Sequence, residues 1–218
     1  MLVLASNSPR RRQLLALGGW KFQVIPAEVD ERPLPGEQPK DYVLRLAESK
    51  ARATTLRATQ EAIVIAADTT VVDGADILGK PADNREAEAM LRRLRGRSHQ
   101  VYTALAVLRT ADGTLLTDWC RTEVPMRGYS DLEMLAYIVT GDPLDKAGAY
   151  AIQHDGFQPV EHLWGCYANV MGLPLCHLTR TLAKLGVYPE TEIPQACQAT
   201  LEYACPVYQQ VLRGENQS

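Results

Sequence analysis

Leu2-Val3-Leu4-Ala5-Ser6-Asn7-Ser8-Pro9-Arg10-Arg11-Arg12-Gln13-Leu14-Leu15-Ala16-Leu17-Gly18-Gly19 opens the chain and decides its class. Leu2 to Ala5 is a brief apolar run that reads as a strand. Ser8 is a helix N-cap, Pro9 stands at the first helical position, and Leu14, Leu15 and Leu17 form an apolar face that Gly18-Gly19 ends. A strand that passes directly into a helix is the unit of an α/β fold. Ligands in such sheets lie beyond the carboxyl ends of the strands, which marks Ser6 as a first place to look.

The same alternation runs outward from this segment. Phe22 to Val29 suggests a second strand, followed by a proline-rich loop from Arg32 to Pro39. Asp41 to about Thr59 carries Val43, Leu46, Ala47 and Ala51 at helical spacing. Ala62 to Ala67 is a wholly apolar strand, expected to end at Asp68 and to leave that carboxylate at the rim of the sheet, while Thr69 to Val72 continues toward a turn at Asp73-Gly74. Asp83 with Glu86 forms a capping-box pair for a helix that runs to Arg95. Val101 to Arg109 and Leu115 to Val124 flank Ala111-Asp112-Gly113-Thr114 as a hairpin. Helices follow over Asp131 to Val139 and Pro174 to Leu185, and Gln195 to Tyr203 adds a turn or two. The fold class is therefore α/β with a mixed sheet flanked by helices. Residues 1–188 are expected to form the domain, and 189–218 a C-terminal extension of unassigned role.

Composition narrows the partners. With 23 Lys+Arg against 26 Asp+Glu the net charge is −3, so the chain lacks the bulk charge of a nucleic-acid binder. Yet Met1 to Ala27 holds Arg10, Arg11, Arg12 and Lys21 with no acidic residue, and Glu28, Asp30 and Glu31 follow at once. No run approaches the roughly 18 apolar residues of a membrane span. Met1 to Ala5 is too short for a signal-peptide core. The 5 cysteines are odd in number and lack zinc-site spacing, which fits a reducing compartment and a cytoplasmic protein.

Three arginines at a helix start oppose the helix dipole, at about 0.3 to 1 kcal/mol each when exposed, and so need a reason. With the Ser6 and Ser8 hydroxyls they make a phosphate seat; the alternative is a solvated basic turn. Asp68 could bind a divalent metal or deprotonate water, or simply cap a turn. Glu28, Asp30 and Glu31 could supply metal ligands or form a solvated strand end. Gly74 to Pro81 nearly spells a Walker A motif, but Pro81 replaces the magnesium-binding hydroxyl and the loop is not glycine-rich. That leaves Lys80 as a point charge or an ordinary surface lysine. Gln153 can both donate and accept through its amide. Cys166 has no evident base partner and reads as a buried structural thiol.

Taken together, several segments resemble the Maf family of nucleoside triphosphate pyrophosphatases, in consistent order from Leu2 to about Leu185. They include Leu4 to Arg11, Glu28 to Glu31, Ala47 to Ala51, Ala67-Asp68-Thr69, Gly79-Lys80-Pro81, Pro143 to Tyr150, Ile152-Gln153 and Val170 to Leu175. The resemblance implies an elongated mixed sheet with two lobes around a cleft, similar to inosine triphosphate pyrophosphatases. It also implies hydrolysis between the α and β phosphates with a divalent metal (Mg, Mn or Co). On this resemblance Asp68 matches the proton acceptor, Ser8, Arg11, Lys50 and Lys80 the phosphate-handling positions, and Asp30, Glu31 and Asp68 the metal site. Arg11, Thr69 and Gln153 match the three specificity positions of the subgroup acting on dTTP and UTP. The pattern departs after Gln153, where His154 to Glu161 replaces the family's usual segment. The alternatives are a pyrophosphatase for another base, such as 7-methyl-GTP or CTP, and a non-enzymatic protein of septum formation. A homodimer is an expectation of the resemblance alone.

Overall fold

The computed structural model describes residues 1–215; the last three residues of the 189–218 extension lie outside the described residues. The opening strand β1 (Leu2–Leu4) and helix α1 (Pro9–Ala16) stand where the sequence places them, with the Ser8 hydroxyl accepting from the Arg11 amide. They are followed by β2 (Phe22–Val24), α2 (Pro39–Thr55), β3 (Ile63–Asp73), β4 (Asp76–Leu78), α3 (Asn84–Leu94), β5 (Ser98–Arg109) and β6 (Leu115–Pro125). Helices α4 (Asp131–Val139), α5 (Tyr167–Met171), α6 (Leu175–Ala183), α7 (Ile193–Leu201) and α8 (Tyr208–Leu212) complete the chain.

The sheet runs β2-β1-β3-β5-β6, with β4 paired to β3. β1 is parallel to both β2 and β3, whereas β3, β5 and β6 are antiparallel, so the sheet is mixed as expected. The β3 to β5 ladder is unbroken from Ile63 opposite Arg109 to Val72 opposite Gln100. Two apolar clusters cover opposite faces of the first half of the sheet. One joins Leu4, Leu14, Ile65 and Leu105 to α6, and the other joins Val3, Val64 and Ala106 to the buried face of α2. A third, with Val71, Leu91, Met134 and Phe157, gathers α3 and α4 against the far ends of β3, β5 and β6. These clusters give the two lobes, and the long strands pass through both.

One expectation is corrected. Asp68 does not end a strand: β3 continues to Asp73, and Asp68 pairs with Ala104 in mid-ladder. The apolar run stops there because the strand crosses from the first lobe into the cleft, where polar side chains replace packed ones. The extension is also more regular than its composition suggests. The Trp20 indole donates to Tyr188 O at 2.9 Å, Glu190 N to Gly18 O at 2.8 Å, and the Thr191 hydroxyl to Leu17 O at 2.6 Å, which ties its start to the end of α1.

Candidate active site

A cleft of about 710 Å³ lies between the lobes. Its walls come from the turn after β1, the start of α1, the loop after β2, the middle of β3, the Gly79-Lys80 segment after β4, and residues 145–153 and 170–172. Ser8, Arg11, Glu31, Lys50, Asp68, Thr69, Lys80 and Gln153 all line it. Asp30 does not line it: its carboxylate is held by the Arg32 guanidinium, with Nε at 2.9 and 3.0 Å from its two oxygens. That pairing holds the Asp30 carboxyl at about 2, below the usual carboxylate range.

The floor of the cleft is an ion cluster. Lys50, on the buried face of α2, places its ammonium 2.6 Å from Asp68 Oδ1 and 2.5 Å from Glu31 Oε1. Asp68 is 6% exposed and Lys50 8%. Burial raises the Asp68 carboxyl above its usual range, against the opposing pull of Lys50 and Arg11. Glu31 also meets a burial cost, but the Lys50 hydrogen bond and the charges of Lys50, Lys80 and Arg11 outweigh it and lower its pKa. Two neighbouring carboxylates are thus pushed in opposite directions, one toward proton acceptance and one toward permanent charge. The Tyr42 hydroxyl donates to Glu31 O at 2.9 Å and so anchors the loop that carries Glu31.

Arg11 is held as precisely. Its Nε donates to Gly172 O at 2.9 Å, Nη2 to the Thr69 hydroxyl at 3.0 Å, and Nη1 to the Ser6 hydroxyl at 3.4 Å. Thr69 in turn lies 2.9 Å from the Thr103 hydroxyl, which donates to Asn169 O at 3.0 Å. The fully buried Asn169 amide nitrogen reaches Val101 O at 3.1 Å and the Thr122 hydroxyl at 2.9 Å. The arginine at the mouth of α1 is therefore braced from β3, β5, β6 and α5. Sequence reading missed Thr103, Asn169 and Gly172 as supports: the signal lies in contacts 66 and 161 residues apart, which no local pattern carries.

Gln153 also lines the cleft, just before the segment where the chain departs from the family pattern. Phe157 is buried there, stacked on Tyr137 with ring centres 4.4 Å apart, and the Arg127 guanidinium donates to Phe157 O at 2.7 Å. The unusual residues thus plug the second lobe and fix the wall that carries Gln153.

The donor set fits a hard divalent cation. Asp68 and Glu31 offer carboxylate oxygens that already close on a cation, the Lys50 ammonium, and Glu28 also lines the cleft. Among the described residues no three potential ligands are grouped to hold an ion by themselves. Magnesium-like ions use one or two carboxylates together with substrate phosphates, a requirement this set meets.

A family model described as Maf-like protein matches residues 1–185. A dTTP/UTP pyrophosphatase of Anaeromyxobacter dehalogenans is 50% identical over 187 residues, covering 85% of this chain and 94% of its own. Another, of Geobacter sulfurreducens, is 47% identical over 186 residues, covering 85% and 96%. A solved dITP/XTP pyrophosphatase from Mycobacterium abscessus aligns over 84% of this chain and 93% of its own, at 16% identity and a TM-score of 0.41. At that score the likeness adds nothing to the topology described above.

Proposed function

The chain belongs to the Maf-like family, and on that premise we propose that it hydrolyses nucleoside triphosphates, dTTP and UTP foremost, to the monophosphate and pyrophosphate. The observation that carries this reading is the buried Lys50, Asp68 and Glu31 cluster set beneath the braced Arg11 in one cleft.

Hydrolysis adds water to a phosphorus, breaks its bond to the bridging oxygen, and releases that oxygen with pyrophosphate. Asp68 accepts the water's proton, a role suited to a carboxylate whose proton affinity burial has raised. Arg11, Lys80 and Lys50 place positive charge against the phosphate oxygens, and the Ser8 hydroxyl sits beside them at the start of α1. Glu31 and Asp68 would hold a divalent cation, which supplies charge neutralisation on the phosphates. We assign Thr69 and Gln153, both of which line the cleft, to contacts with the base. The partner is a nucleotide, not nucleic acid, and we place the reaction in the cytoplasm.

Purified chain assayed for pyrophosphate release against a panel of triphosphates, with Mg, Mn or Co, tests this directly. The highest kcat/KM is expected for dTTP and UTP. Release from 7-methyl-GTP or CTP in preference would move the substrate. No release from any triphosphate would overturn the enzymatic reading.

A further inference from the structure

Lys80 keeps its place in the cleft through its backbone. Its ammonium makes no hydrogen bond or ion pair among the described residues, although its charge reaches Glu31. A lysine on a flexible stem with no partner is aimed by the chain that carries it. That chain is a short strap. It leaves the β3 to β4 ladder where Leu78 pairs with Val71, passes Gly79 and Lys80, and is pinned beyond them by buried Pro81 and by the Ala82 amide, which donates to Glu86 Oε2 at 2.7 Å. Between these ends a backbone contact comes from the second lobe: Gly148 N donates to Gly79 O at 3.0 Å.

Gly148 stands where a side chain has no room. Its φ is +71°, and a Cβ there would lie 2.8 Å from Val71 Cγ2 and 3.0 Å from Val71 Cγ1. Val71 is buried in mid-ladder, between Leu78 on β4 and Val101 on β5, and cannot retreat. The next residue, Ala149, is fully buried and also left-handed, with φ +61°, a conformation that a residue with a Cβ keeps only when its surroundings impose it. The Lys146 ammonium donates to Asp142 O at 2.6 Å and to Asp142 Oδ1 at 2.8 Å. The Tyr137 hydroxyl accepts from Ala151 N at 3.0 Å and donates to Asp142 Oδ2 at 2.6 Å. The turn is thus fastened to the second lobe on both sides of Gly148.

We propose that Gly148 is a positioning residue of the cleft: its amide fixes the Gly79-Lys80 strap and thereby sets the Lys80 ammonium against the phosphates. This role rests on Lys80 being a phosphate ligand, as proposed above. A side chain at 148 must push the turn off Gly79 or push Val71 out of its ladder. Moving the turn costs one hydrogen bond, whereas moving Val71 disrupts a strand paired on both sides, so the turn yields and Lys80 goes with it. The linear sequence hides the contact because its two partners meet only in the fold.

Gly148→Ala tests the proposal with Gly113→Ala as its match, since Gly113 has φ +72° but nothing within 4 Å of a Cβ built there. Both variants should lower the thermal midpoint. Gly148→Ala alone should raise KM for dTTP roughly tenfold, the scale of one hydrogen bond to a charged group, and weaken calorimetric binding of magnesium pyrophosphate by the same factor. In a Lys80→Ala background it should add nothing to either, because the residue it acts through is gone. Unchanged KM and pyrophosphate affinity in Gly148→Ala overturn the proposal, and so does a penalty that multiplies with that of Lys80→Ala, the mark of a general loss of structure. Normal pyrophosphate binding by Lys80→Ala removes that lysine from phosphate recognition, and the role of Gly148 falls with it. Binding is read without turnover, so it decides the matter even for a chain that hydrolyses nothing. Hydrogen exchange at the Gly148 amide of the unsubstituted chain needs no variant: it should slow when magnesium pyrophosphate binds, and an unaltered rate overturns the proposal.

Discussion

Asp68 and Lys50 are buried together, and that burial decides what a single substitution does. Asp68→Asn removes charge without volume and leaves Lys50 its contact with Glu31 at 2.5 Å, so no uncompensated buried cation is created. We expect kcat to fall by about 10² to 10⁴, the usual contribution of a positioned base, while the thermal midpoint stays within a few degrees. Steady-state kinetics with a melting curve checks both; undiminished turnover would remove Asp68 from the role of base. At this scale much was legible in the chain. Arg11 declared itself because a cation at a helix start needs a reason, and Lys80 survived the failed Walker A reading. Lys50 did not declare itself, since a lysine on an amphipathic helix is ordinarily solvated. Only the packing of α2 on β3 turns it inward.

Among the elements, the joint that bears on the site is the turn that closes α5. Gly172 has φ +105°, and a Cβ there would meet the Thr69 hydroxyl at 3.1 Å and Arg11 Nε at 3.3 Å. Gly172→Ala combines a left-handed backbone, worth roughly 1 to 2 kcal/mol, with displacement of the arginine fork. Its expected signature is a several-fold rise in KM for every triphosphate and a lower thermal midpoint; an unchanged KM would show that Arg11 does not depend on this turn. Element starts were readable because caps are local: Ser8 accepts from Arg11 N, and Asp83 from Glu86 N at 2.8 Å. That Thr69 to Val72 belongs to the same unbroken strand as Asp68 was not readable. Polar Asp68, Thr69 and Thr70 look like a strand end until β5 is known to lie alongside them.

For the whole molecule, pH is the most direct probe of how the core was assembled. His99 and His177 are both pushed down to about 4, chiefly by burial. The unfolded chain takes up those protons near 6.5 and the folded chain only near 4, so stability falls with acid across that window. At about 1.4 kcal/mol per unit the two sites together withdraw several kcal/mol. Neither ring nitrogen of His177 has a hydrogen-bond partner among the described residues. His177→Leu should therefore hold or raise the urea midpoint at pH 7 and flatten its decline between pH 6.5 and 4. A variant that keeps the full decline would shift the cause to other groups. The paired carboxylates Asp118 and Glu133, whose pKa values lie below the usual range, lose their contribution only at lower pH. Such coupling is invisible in composition, which counts histidines without showing which are buried.

The unbroken β3 to β5 ladder has one more consequence. It runs beneath the cleft from one lobe into the other, so the lobes share a single stiff spine. Opening the cleft wider would mean tearing or twisting consecutive backbone hydrogen bonds. The aperture behaves as a fixed calliper, and a nucleotide is measured by the side chains set into its two arms.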